Sequence, residues 1–186
     1  MFGATAVTTL ALCSSAMAVA ITGEVSFLGR GTLDNSLLGS ATKVTGWAGP
    51  GAVANPVAFG PTLALDIFIN PGDEATFAAP WSFNSGPVAG LWSVGGFTFD
   101  LTSSTIQLQN SQFLNVTGTG ILRGNGYDPT PGKWVFTIAD ADGSPNTDLK
   151  FGFVANTNAV PDGGTSFALL GVSLLGLHGI RRRLKA

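Results

Sequence analysis

The sequence predicts an all-β domain, an antiparallel β-sandwich or jelly-roll-like ectodomain, carried on a single C-terminal transmembrane helix. Three observations predict this. Between residues 21 and 159, apolar and polar side chains alternate in short runs, the period-two pattern of half-buried strands. Gly, Pro, Asn and Asp break these runs roughly every 8–12 residues, the turn spacing of small antiparallel folds. Residues 165–180 then contain no charged side chain and lead directly into a basic cluster.

The alternation can be followed along the chain. Val25 and Phe27 alternate with Glu24 and Ser26, and Lys43-Val44-Thr45 leads into Trp47. A loop rich in Gly, Pro and Asn runs from Gly49 to Pro61. Leu63, Leu65, Ile67 and Ile69 share one face of an expected strand, ended by Asn70-Pro71-Gly72-Asp73. Ala75 to Phe77 and Trp81 to Phe83 are short candidates, the second running into a turn at Asn84-Ser85-Gly86-Pro87. Leu91 to Leu101 carries Phe97, Phe99 and Leu101 on one side, and Ile106 and Leu108 alternate with glutamines. Phe113 to Leu122 is rich in Thr and Gly, which predicts a bulged strand with close backbone approach. Asn125-Gly126 and Pro131-Gly132 mark turns. Trp134, Phe136 and Ile138 form another face, as do Leu149, Phe151 and Phe153 beyond an Asp-rich loop. Asn156 to Ala159 reads as a polar linker.

The two ends of the chain differ from this body. Met1 to Ala20 has no charged side chain, an apolar stretch around Ala4 to Leu12, and two small-x-small sites, Ala16-Met17-Ala18 and Ala18-Val19-Ala20. Residues 1–20 are therefore read as a signal peptide and 21–159 as the ectodomain. Residues 160–186 form a tail in three parts: Val160-Pro161-Asp162-Gly163-Gly164, an apolar segment over 165–180, and a basic end over 181–186 with Arg181, Arg182, Arg183 and Lys185. As a helix the apolar segment spans about 24 Å. Arginine stems lying along the acyl region extend it towards the ~30 Å of a bilayer core. Basic residues beside a span stay on the cytoplasmic side, which puts the ectodomain outside.

That tail resembles the PEP-CTERM class of bacterial sorting signals, close to its Val-Pro-Asp-Ser-Gly variants, although Asp162-Gly163 stands where the class usually has Glu before a second Pro. The resemblance implies an exosortase-type processing enzyme as partner. It also implies a membrane-anchored precursor, cleavage near the motif, and delivery to the cell surface or extracellular space, where exopolysaccharide is a candidate partner.

Composition narrows the chemistry. Four of the nine basic residues lie in the tail, so the ectodomain keeps five basic and ten acidic side chains, a balance of about −5 that argues against nucleic-acid binding. The single histidine, His178, lies in the apolar tail and the single cysteine, Cys13, in the leader, which removes nucleophilic triads and zinc sites from the ectodomain. Carboxylates that a glycan-active enzyme would need (Glu24, Asp66, Asp73, Glu74, Asp100) sit in turns or on polar strand faces, with nothing in sequence pairing them. The expectation is a protein that is not an enzyme. Asp140, Asp142, Asn146 and Asp148 are the one candidate calcium loop, although the same residues also build ordinary hairpin turns. Otherwise no cofactor is expected. Trp47 and Trp81 adjoin loops and are the candidates for stacking on a sugar, whereas Trp92 and Trp134 lie in strand patterns. Together these features predict a non-catalytic, surface-sorted protein, with a carbohydrate-binding module as the alternative and a glycan-active enzyme behind it.

Overall fold

A computed structural model of the protein describes residues 19–50 and 53–157. The sorting motif, the expected transmembrane helix, the basic cluster, Cys13 and His178 lie outside the described residues. Ten strands follow in order: β1 (Gly23–Leu33), β2 (Lys43–Ala48), β3 (Val57–Phe59), β4 (Thr76–Phe77), β5 (Trp81–Ser82), β6 (Val88–Val94), β7 (Phe97–Gln109), β8 (Phe113–Gly124), β9 (Tyr127–Ala139) and β10 (Asp148–Thr157). A single 3₁₀ turn, Leu38–Ser40, stands between β1 and β2. The expected all-β antiparallel class is what forms.

All ten strands belong to one sheet, in the order β4-β6-β7-β8-β9-β10-β1-β2-β5, with β3 added beside β1. A flat sheet with that order would hold its outermost strands about 38 Å apart, at ~4.8 Å per neighbour. Yet β4 and β5 are joined by only Ala78-Ala79-Pro80, and four Cα steps reach no further than about 15 Å. The sheet therefore curls until its two edges nearly meet, and the link from β4 to β5 bridges the gap. Layering arises from one sheet folded over its own inner face.

Aromatic rings fill the enclosed space, as the alternation requires. Phe27, Trp81, Phe83, Trp92, Phe97, Phe99, Trp134, Phe136 and Phe153 are all fully buried. Contacts across the core join strands that are far apart in the sheet. Phe27 of β1 lies 4.9 Å from Trp92 of β6, and Phe77 of β4 lies 5.7 Å from Phe153 of β10. Each such side chain contributes about 1.5–3 kcal/mol through area removed from water. Room for the rings comes from the inner face of β8, which reads Leu114, Val116, Gly118, Gly120, Leu122. A Cβ at Gly118 would lie 2.7 Å from the Trp134 ring, and one at Gly120 would lie 2.3 Å from the Phe99 ring. The close approach expected of this Thr/Gly-rich strand is present. The extra residues lie on its partner β7, where the register shifts between Leu101 and Ser103 and again between Ile106 and Leu108.

Several expected elements take another form. Leu63 to Ile69 is a run of helical turns, with Phe68 and Ile69 N–H groups donating to the Leu65 carbonyl. Leu65 and Ile69, four apart, are buried, while Leu63 and Ile67 are 70% and 73% exposed. The start of this segment is tied to the chain entering β1, where the Thr62 and Ala64 N–H groups donate to the Glu24 and Thr22 carbonyls, both at 3.0 Å. It plugs one end of the curled sheet, with Phe68 packed edge-on against Phe97 and Tyr127. Pro131-Gly132 is no turn but part of β9. There β9 pairs only with β8, its pairing to β10 beginning at Lys133, so a residue without an N–H is tolerated as on an edge strand. The loop from Gly49 to Pro61 includes β3, and Asn156 and Thr157 belong to β10 rather than to a linker. Leu91 to Leu101 is divided by a hairpin at Gly95-Gly96, both with positive φ. Asn125-Gly126 is the hairpin turn its residues predict, with φ of 52° and 77°.

Asp34 closes the connection from β1 to β2. Its carboxylate accepts the Thr42 hydroxyl and the backbone N–H groups of Thr42 (2.8 Å) and Lys43 (3.2 Å). Desolvation pushes this carboxyl up, but the donors outweigh it and hold the pKa below its ordinary value of 3.8. A depressed folded pKa means that the unfolded chain binds the proton more readily. The stabilisation is therefore present above pH 3.8 and lost as pH falls through the folded value. Asp34→Asn should lower stability at pH 7 by about 1 kcal/mol. In urea melts over a pH series, its deficit against wild type should shrink as pH falls below that window.

Candidate functional site

Trp47 and Trp81 are brought together, but not at the surface. Trp81 is fully buried, and Trp47 is half-buried with its indole N–H donating to the Ala78 carbonyl at 2.8 Å. Their rings stack at 6.2 Å and 19°. Both face the core, where Trp81 also meets Phe83, Trp134 and Phe136. The exposure expected of Trp81 is corrected: strand β5 pairs with β2 so that its first side chain points inward, and a loop-adjacent position gives no sign of this. Among the described residues, the aromatic side chains classed as exposed are Phe59, Phe68 and Phe113.

The Asp-rich loop between β9 and β10 uses its oxygens internally. Asp142 accepts the Ser144 N–H at 3.0 Å, Asn146 accepts the Asp148 N–H at 2.9 Å, and Asp148 pairs with Arg30 at 3.0 Å. Desolvation raises the Asp140 carboxyl, and so does the Asp142 carboxyl hydrogen-bonded to it. Asp142 is lowered by the Ser144 N–H and then by Asp140. Among the described residues no three His, Cys, Asp or Glu side chains converge as metal ligands. What the loop displays is the Asx-turn bonding that shapes hairpins.

Four of the five other candidate carboxylates, all but Asp66, are also engaged. Asp100 accepts the Gly90 N–H at 2.8 Å and pairs with Arg123 at 2.9 Å. Asp73 accepts the Asn70 N–H, Glu74 the Asn55 amide and Glu24 the Asn156 amide. Open grooves among the described residues include two of several hundred Å³. One, of about 510 Å³, is lined by Thr102, Thr119, Ile121, Pro131 and Lys133 among others. The second, of about 420 Å³, is lined by Leu28, Gly29, Arg30, Pro50, Lys150 and Phe151. Arg30 and Lys150 stand directly opposite each other on β1 and β10, an arrangement in which like charges repel.

A further feature lies at the end of the sheet plugged by Leu65 and Ile69. Gly23, at the start of β1, is the register partner of Thr157, at the end of β10, and the Thr157 hydroxyl donates to the Gly23 carbonyl at 3.2 Å. The chain thus enters and leaves the domain side by side. Ahead of β1, the Ile21 N–H donates to Thr130 Oγ1 at 2.9 Å, and Ala20 forms an isolated parallel bridge with Asp128. Sequence patterns missed these partners because they lie more than a hundred residues apart and follow no local periodicity.

No curated protein and no solved structure matches the chain. A family model does match its end. From residue 159 to 184, immediately past the last strand, the chain carries a VPDSG-CTERM motif, a PEP-CTERM-like exosortase sorting-signal variant.

Proposed function

We propose that this chain is an exported surface or extracellular-matrix protein, anchored as a precursor by its tail, processed by an exosortase-type enzyme, and non-catalytic in its β domain. The observation that carries the reading is the tail motif over residues 159–184. The fold agrees with it in two ways. A leader and a tail that both engage one membrane need to leave the domain at the same end, and Gly23 and Thr157 are neighbours. A cut at the motif also leaves every strand whole, since β10 ends at Thr157. The test is fractionation of the full-length protein in a Gram-negative host with and without a co-expressed exosortase. The expected result is retention in the membrane fraction without the enzyme and release with it. An identical distribution in the two hosts would contradict the reading.

A second reading, binding of an extracellular polysaccharide, is favoured by one observation. The groove beside Arg30 and Lys150 brings two basic side chains together, and with Arg30 also paired to Asp148 it is Lys150 that offers charge to an acidic glycan.

A further inference from the structure

The helical turns between β3 and β4 are apolar on two sides. Leu65 and Ile69 are buried in the sheet end, while Leu63 and Ile67, also four residues apart, stand in solvent. Among the described residues the three most exposed large apolar side chains are Ile67 (73%), Leu63 (70%) and Val19 (66%). All three lie at the end where the chain leaves the sheet. Leu63 lines a small groove together with Gly23, Asn156 and Thr157. Ile67 precedes Phe68, itself exposed, whose ring meets Tyr127 at 6.3 Å. The Val19 carbonyl accepts the N–H of Asp128, the next residue along β9. Single exposed apolar residues are ordinary on a protein surface, but a group of them around one chain exit is a patch.

We propose, resting on the anchored-precursor reading above, that this patch is a membrane-contact surface. Leu63, Ile67 and Phe68 settle into the lipid interface beside the point where the tail enters the bilayer. The length of the connecting chain supports this. The apolar segment begins at Thr165, eight residues after Thr157, so the chain between them reaches at most about 29 Å. The exit end of the sheet is thereby held close to lipid. Leu108, by contrast, is eleven residues along β7 from Phe97, against which Phe68 packs, which is about 35 Å of strand. Tethering raises the effective concentration of lipid at the exit end, so a few apolar side chains suffice where a free protein would need more.

Charge around the patch decides which lipid it suits. The carboxylates of Glu24, Asp66 and Asp128 stand there against Lys133, with Arg123 already paired to Asp100. The contact is therefore apolar rather than electrostatic. It fits zwitterionic headgroups better than anionic ones.

The test uses full-length protein in phosphatidylcholine vesicles. Cys13→Ser is combined with either Ile67→Cys or Leu108→Cys, and the new thiol carries an environment-sensitive fluorophore. At position 67 the expected result is blue-shifted emission that nitroxide-labelled lipid quenches. At position 108, half exposed at the far end of β7, neither is expected. Adding Leu63→Asp to the Ile67→Cys protein should cut the quenching several-fold, while flotation with the vesicles, which the tail sets, stays unchanged. A protein that floats but whose label at position 67 remains in water overturns the proposal and leaves the anchor standing. A label that is shielded yet unquenched by the lipid probe assigns the patch to a second copy of the chain, and overturns it too. A protein that does not float contradicts the anchored-precursor reading, and the proposal falls with it.

Discussion

Trp81→Ala should cost the domain about 3–5 kcal/mol, a large part of the 5–15 kcal/mol that typically separates folded from unfolded states. Trp81 is one of only two residues in β5, and that strand is one edge of the curled sheet. Its ring contacts Trp47, Phe83, Trp134 and Phe136, at centroid distances of 5.1 to 6.2 Å. Truncation therefore opens a cavity at the seam where the two edges approach, and loosens the contact that holds β5 against the interior. The midpoint of thermal unfolding should fall by roughly 10 °C or more. Trp81→Phe should cost far less. It keeps an aromatic ring in place and removes an indole N–H that is buried without an acceptor among the described residues. Equal losses for the two variants would mean that the ring contacts at the seam do not carry the stability assigned to them.

The second large effect is expected at Gly118. A methyl group there would lie 2.0 Å from the Ser103 carbonyl oxygen as well as 2.7 Å from the Trp134 ring. A side chain can rotate away from such a clash, but a ladder carbonyl cannot move without breaking the β7–β8 pairing. Gly118→Ala should therefore cost about 3 kcal/mol, at the upper end for overpacking. Gly126→Ala provides the contrast. Its φ is 77°, yet nothing lies within 4 Å of a Cβ there, so only backbone strain of about 1 kcal/mol is expected. Chemical denaturation of the two variants beside wild type checks the difference. A Gly118→Ala variant as stable as Gly126→Ala would show that β8 has slack which its packing against Trp134 does not admit.

Most of the inner face was legible because strand alternation is a local pattern. Val25 and Phe27, Trp134, Phe136 and Ile138, and Leu149, Phe151 and Phe153 are buried as their spacing predicts. Asn125-Gly126 was legible too, since few other dipeptides accept two positive φ angles in succession. Leu63 to Ile69 misled because residues two apart include residues four apart. The apolar set fits a strand face, but only Leu65 and Ile69 are needed to plug the sheet end. Pro131-Gly132 misled because whether proline is tolerated depends on which neighbour strand is present, a property of the assembled sheet. Trp81 misled for the same reason, since β5 points its first side chain inward only by virtue of its register with β2. The curl itself has no sequence signature beyond the short link between β4 and β5. The tail is the opposite case. Apolar length, basic flank and turn motif are all contiguous in sequence, and the pattern read there coincides with the motif matched over residues 159–184.

The most direct test of tail-directed processing is the intact mass of the protein recovered from the surface or medium of exosortase-bearing cells. The account predicts a C-terminus beyond Thr157, at or close to the Val160–Gly164 motif, with the apolar segment and Arg181–Arg183 absent. A surface protein that still ends at Ala186 would contradict it.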